Sequence, residues 1–186
     1  MNNEFEIRGN TTVIFLKRRD GAILETIIDT TDLPKAQEFP NLWYAVWNSD
    51  INSFYVQGNI RKGKGKRDSH FLHRWITGAQ KGQVVDHINH NTLDNKRSTN
   101  LRVVTNAENI QNRIKLQKNN TSGVSGVVWD KRRGKWKAQI QVNAKMINLG
   151  SYKNKDDAVK IAIQARLKYH AIPEQNICYL FDMAVV

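Results

Sequence analysis

The stretch 84–113, VVDHINHNTLDNKRSTNLRVVTNAENIQNR, limits what this chain can fold into more than any other. Val84 and Val85 lead a short apolar strand into Asp86 and His87. Residues 89–99 are rich in Asn, Asp and Ser, whose short side chains bond to nearby backbone and favour turns. Leu101 to Val104 reads as a return strand, because its residues are β-branched or bulky. Thr105 then starts a helix, since Thr105-x-x-Glu108 is a capping box. Strand, loop, strand and helix together put Asp86 and His87 opposite Asn109. Asn109 falls near the helix start, where orphan amides and the positive helix end favour a phosphate.

The chemistry of these three side chains converges. A hard divalent cation takes oxygen ligands such as those of Asp86 and Asn109. A neutral imidazole beside it, here His87, can take a proton from water near neutral pH. Such a set can hydrolyse a phosphodiester.

The same residues carry a family resemblance. Asp86-His87, Asn100-Leu101 and the helical Asn109 occur in the order of the HNH endonuclease motif, and the stretch resembles its asparagine-rich variant. The resemblance implies a ββα-metal fold around one divalent ion, Mg²⁺ first and Mn²⁺ second. It implies Asp86 and Asn109 as metal ligands and His87 as general base. Asn100 resembles the middle motif residue, which braces the loop and orients the histidine. Arg113, one turn beyond Asn109, is expected on a flanking phosphate. His90 stands where relatives usually carry Gly. His73, in Phe71-Leu72-His73-Arg74-Trp75, alternates like a strand residue and is expected simply to pack, although relatives often carry His-Arg there.

Composition agrees with a polyanionic partner. The formal net charge is +12 over 186 residues, enough chain for one or two small domains with their own cores. The basic run 61–67, RKGKGKR, would add salt-sensitive affinity that is blind to sequence. One cysteine, Cys178, makes neither an internal disulfide nor a cysteine-rich zinc cage. No stretch has the apolar length that spans a bilayer, and the start MNNEFE lacks the parts of a signal peptide. A cytoplasmic protein acting on double-stranded DNA is expected, with no membrane and no obligatory protein partner.

The expected fold class is α+β, in five parts. Residues 1–75 form a β-rich region, with apolar runs at 12–16, 22–28 and 42–47 separated by turn signals. Residues 76–113 hold the nuclease motif, 114–122 a polar linker, and 172–186 a tail. In 123–171, Trp136, Ala138, Ile140 and Val142 alternate with Lys135, Lys137, Gln139 and Gln141, the period of a half-buried strand. Ile147 and Leu149 continue the inward face, and Met146 and Asn148 the outward one. Asn154 caps a helix whose apolar face is Ala158, Ile161, Ala162, Ala165 and Tyr169. A three-stranded antiparallel sheet on one helix follows.

This second part resembles the DNA-binding domain of plant ethylene-response (APETALA-type) factors, through Ser-Gly-Val, Gly-Lys-Trp, Ile-x-Leu-Gly-x-Tyr and the alanine-rich helix. The resemblance implies that Lys135, Lys137, Gln139, Gln141, Met146 and Asn148 face DNA, with Arg132 and Arg133 beside them in the turn. Ser125, Val128 and Met146 stand where the plant domains hold Arg, so base preference is not carried over. Trp129 and Trp136 are expected in the core. The whole reads as a site-preferring DNA endonuclease of the HNH homing type. Two other classes fit: a DNA-binding regulator with an inactive nuclease motif, and a structured-RNA-binding intron factor.

Overall fold

The computed structural model describes residues 1–63, 65–111, 116, 120–170 and 172. Arg113, most of the 114–122 linker, Cys178 and the tail beyond Ile172 lie outside the described residues. The chain divides into two compact units, Met1–Thr105 and Asn106–Val186.

The first unit starts with an antiparallel sheet of β1 (Phe5–Arg8), β2 (Thr11–Lys17) and β3 (Ile23–Asp29), in that order. Val13, Ile14 and Leu16 of β2 are all sealed, as a near-continuous apolar run in a central strand should be. A short helix, α1 (Leu33–Gln37), follows with Pro34 in its first turn, where no amide hydrogen is needed. It was not foreseen inside the expected β region. A second sheet joins β4 (Tyr44–Asn48), β5 (Ser53–Arg61) and β6 (Arg67–Phe71), with Arg61 and Arg67 paired at the end of the β5–β6 ladder. Helix α2 (Leu72–Thr77) comes next, then the hairpin of β7 (Val84–His87) and β8 (Leu101–Val104).

One core joins β2, β3, α1, β5 and α2. Ile14, Leu16 and Ile28 of the first sheet meet Leu33 and Ala36 of α1, Val56 of β5, and Leu72 and Ile76 of α2. Phe39 stacks on Trp43 at 4.0 Å between ring centres. Gly58 makes that stack possible, because a Cβ there would overlap the Phe39 ring. The expected boundary at 75/76 falls inside α2.

Phe71 to Trp75 was expected to alternate as a strand, and here the structure differs. Leu72, His73 and Ile76 are buried at i, i+1 and i+4 of a helix. The helix stops at Gly78, whose φ of 65° is a left-handed cap that glycine adopts without strain.

The second unit begins with the short helix α3 (Asn106–Gln111), which starts one residue after the capping threonine expected at 105. Its sheet has the order β11 (Lys145–Tyr152), β10 (Lys135–Val142), β9 (Val127–Asp130), and α4 (Lys155–Tyr169) packs on it. Asn154 caps α4 by accepting the Asp156 amide at 3.0 Å.

Three details depart from the expected pattern. The β10–β11 register shifts between Ala138 and Gln139, so Leu149 is an extra residue between the Ala138–Gly150 and Gln139–Asn148 pairs. Leu149 still packs on the core, while Ile147 is 39% exposed. On α4, Ala158, Ala162 and Ala165 are buried and Ile161 packs against the core as read from sequence, but Val159 and Ile163 are buried with them and Tyr169 is exposed, so the apolar face is rotated by part of a turn. Trp136 packs against the core, but its cross-strand neighbour Trp129 is 42% exposed and lines a shallow cleft with Thr121 and Lys131. Among the described residues no helix is long and apolar enough to cross a membrane.

Candidate active site

The hairpin sets Asp86 opposite Arg102 and His87 opposite Leu101. Asp86 and His87 are both buried. Arg102 donates to the Asp86 carboxylate through Nε and Nη2, at 3.0 and 2.8 Å from Oδ2. Removing that guanidinium would take two hydrogen bonds and an opposite charge from a buried carboxylate, a costly change.

Residues 88–100 close the hairpin, and their composition explains how. Backbone amides in a loop need acceptors, and short polar side chains supply them. Asn89 accepts the Asn91 amide, and Asn91 accepts the Leu93 amide. Asn100 ties the two ends: its Oδ1 accepts the Asn89 amide at 2.8 Å, and its Nδ2 donates to the Asp94 carbonyl at 2.6 Å. His90 sits at a φ of 60°. That left-handed backbone is where glycine would be unstrained, and where histidine is tolerated better than most residues.

The loop is also clamped from outside the motif. The Ile27 amide of β3 donates to the Leu93 carbonyl at 3.0 Å, and the Asn95 amide returns to the Ile27 carbonyl at 2.8 Å. Asp29 accepts the Ser98 amide and hydroxyl at 2.8 and 2.6 Å. Buried Asp32 holds Arg97 through two contacts of 2.7 and 3.2 Å. Thr92 donates to the Phe54 carbonyl of β5 at 2.6 Å.

Around His87 the structure gathers residues that the motif did not announce. Its Nε2 lies 3.2 Å from Asn95 Oδ1. The His73 ring stands edge-on to it, with ring centres 5.1 Å apart, and Tyr55 lies at 6.1 Å. Burial pushes the His87 imidazole below its ordinary value, opposed by the Asn95 hydrogen bond and by the charges of Asp86 and Asp94. His73 is sealed, with its Nδ1 unpartnered, and burial drives it down to about 3 with help from His87 and Arg74. His90 is also lowered by burial, against the pull of Asp86. Tyr55 is raised, first by burial and then by Asp86. Near neutral pH the site therefore holds neutral imidazoles and a protonated phenol, the state a general base requires.

Each residue singled out from sequence has a definite place, Arg113 excepted. Asp86 and His87 are adjacent on β7, and Asn100 braces the loop, but it is Asn95 that touches the His87 ring. Asn109 lies on α3. On β10, the register puts Gln139 beside Asn148 and Gln141 beside Met146. Ala138 and Ile140, on the alternate face, are buried. Lys135 pairs with Asp130 across β9 and Lys137 with Val128. Arg132 and Arg133 turn at the hairpin tip, with their amides on Asp130 Oδ1. Asn95, Thr26, Tyr55 and Arg102 were not singled out. Only Arg102 carried a usable signal, since a hairpin register that pairs His87 with Leu101 puts an arginine opposite Asp86.

Comparison with known proteins converges on the same segment. Protein 3.8 of Escherichia phage T7 is 39% identical over 71 residues, which make up 38% of this chain and 57% of that protein. The chain thus spans a little over half the length of that relative. No solved structure matches. Residues 70–111, which include α2, the β7–β8 hairpin and α3, match the HNH endonuclease family. Over this stretch the chain is similar to HNH endonuclease domains, which suggests a nuclease.

Proposed function

We propose that the protein is a metal-dependent, site-preferring DNA endonuclease of the phage or intron homing type, acting in the cytoplasm of a host cell. The observation that carries this reading is the buried His87 imidazole held beside the Asp86 carboxylate at the hairpin base, inside the matched segment.

Asp86 and Asn109 would hold the ion. A carboxylate and a carboxamide are hard oxygen donors, which fits Mg²⁺ or Mn²⁺ with water and phosphate completing the shell. When bound, such an ion offsets charge on the phosphate and on the leaving oxygen. His87 accepts a proton from water as the water oxygen bonds to phosphorus. The bond from phosphorus to the 3′ oxygen breaks, and that oxygen takes a proton from solvent. The products are a 5′-phosphate and a 3′-hydroxyl. Arg113 is proposed on a flanking phosphate and Asn100 as the brace of the catalytic loop. Incubation with mixed plasmid and phage DNA should give cleavage in Mg²⁺ and none in EDTA. Cleavage that is unchanged in EDTA would refute the metal assignment.

Residues 123–171 are proposed as an APETALA-type DNA-binding part, with the face of Lys137, Gln139, Gln141 and Asn148 toward the major groove and Arg132, Arg133 and Lys135 on phosphates. The alternation of that face with the buried Ala138 and Ile140 supports this reading. Lys135→Ala should weaken binding and reduce the slope of log affinity against log salt by about one. Gln139→Ala should relax base preference more than it lowers affinity. Unchanged salt slopes and preferences in both variants would assign this unit to something other than DNA.

A further inference from the structure

We propose that Asn95, held by Thr26 of the first sheet, is a positioning residue that fixes which nitrogen of His87 carries the proton. The inference rests on the nuclease reading only for its effect on rate.

The direction of each hydrogen bond follows from the one before it. The Leu93 carbonyl can only accept, so the Thr26 hydroxyl, 2.7 Å away, donates to it. With its single hydrogen committed, Thr26 Oγ1 accepts from its other close partner, Asn95, at 2.9 Å. That nitrogen is therefore the amide Nδ2 of Asn95, which also donates to the Thr92 carbonyl at 3.4 Å. Two acceptors on the same side fix the amide, so its Oδ1 faces His87 Nε2 at 3.2 Å. Nε2 must then carry the hydrogen. Asn95 is fully buried and His87 nearly so, so no water substitutes in this chain. His87 Nδ1, which makes no hydrogen bond among the described residues, is left with its lone pair. It is not among the sealed unpartnered nitrogens, which are those of His73 and His170. The lone pair thus lies at the nitrogen that water can reach, as proton abstraction requires.

Without Asn95 the preference reverses. A buried N–H with no acceptor costs more than the same hydrogen on a nitrogen that water solvates. The proton would move to Nδ1 and block the base. A carboxamide is suited to this task because one end donates into the clamp and the other accepts from the ring.

The test uses the full-length chain without metal at pH 8, with His87 nitrogens read by long-range ¹H–¹⁵N spectra, alongside steady-state cleavage of supercoiled plasmid in Mg²⁺. The parent should show the Nε2–H form. Asn95→Leu should shift the proton to Nδ1 and lower kcat by roughly 10²-fold, with KM unchanged. Asn95→Asp, whose carboxylate still accepts from Nε2, should keep the Nε2–H form and restore most of kcat. If Asn95→Leu does not fold, Thr26→Val carries the test: with its donor side released, the amide can turn, and the Nδ1–H form should appear. A pure Nε2–H spectrum in Asn95→Leu, or in Thr26→Val where Leu fails to fold, overturns the proposal. A parent that shows these spectral shifts but cleaves no DNA would leave the hydrogen-bond relay standing and remove the nuclease reading instead.

Discussion

His87→Ala should lose cleavage by about 10²- to 10⁴-fold while its affinity for DNA stays within error of the parent. In the proposed mechanism the imidazole works on the water proton as the transition state forms, whereas affinity would come from the many basic groups of a chain with net charge +12. The variant should also fold. His87 is buried, but among the described residues its ring makes one hydrogen bond, to Asn95, and the loop is held by separate bonds from Asn100, Asp29 and Asp32. Cleavage by purified His87→Ala within tenfold of the parent, at equal metal and DNA concentration, would take the base assignment away. A joint loss of cleavage and binding would point to a role in folding or contact instead.

The protein should also be acid-labile well before its carboxylates titrate. His73 is held at about 3 in the fold, against an ordinary value of 6.5. The unfolded chain therefore binds a proton that the folded chain refuses. The stability involved is fully present above pH 6.5 and drains away as the pH falls toward 3. At pH 5 the loss from His73 alone is roughly 2 kcal/mol. His87 and His90 are shifted in the same direction by burial and add to the slope. His73→Phe should fit, since the ring already stacks on Phe71 at 5.4 Å and packs against Tyr55 at 5.6 Å. It also removes a sealed nitrogen that has no partner. Denaturant melts at pH 7.5 and pH 5 should show the parent losing about 2 kcal/mol more than His73→Phe over that interval. Equal losses would mean that His73 is protonated or solvated in the fold.

What the sequence made legible was what depends on neighbours in the chain. The turn at 88–100 follows from its own Asn and Asp side chains, which bond within a few residues of themselves. The Asn154 cap and the buried alternation of Ala138 and Ile140 are legible for the same reason. Helix α2 was misread because six residues are too few for a period of 3.6 to stand out from a period of two. The β10–β11 bulge was missed because one extra residue leaves no mark on composition. Asn95 was indistinguishable from the other asparagines of its loop, because its meaning comes from Thr26, 69 residues earlier. Asp32 and Arg97, 65 residues apart, are hidden in the same way.

Those distant bonds to the first sheet also bear on how such a domain can be inherited. The segment 70–111 that matches the family holds the hairpin, but Ile27, Asp29 and Asp32 hold the loop in shape. A gene fragment copied from 70 onward would carry the reactive side chains into a new host protein without the strand that orders them. A cut after Asp32 would likewise sever that strand from the chain that carries the loop, with every motif residue still in place.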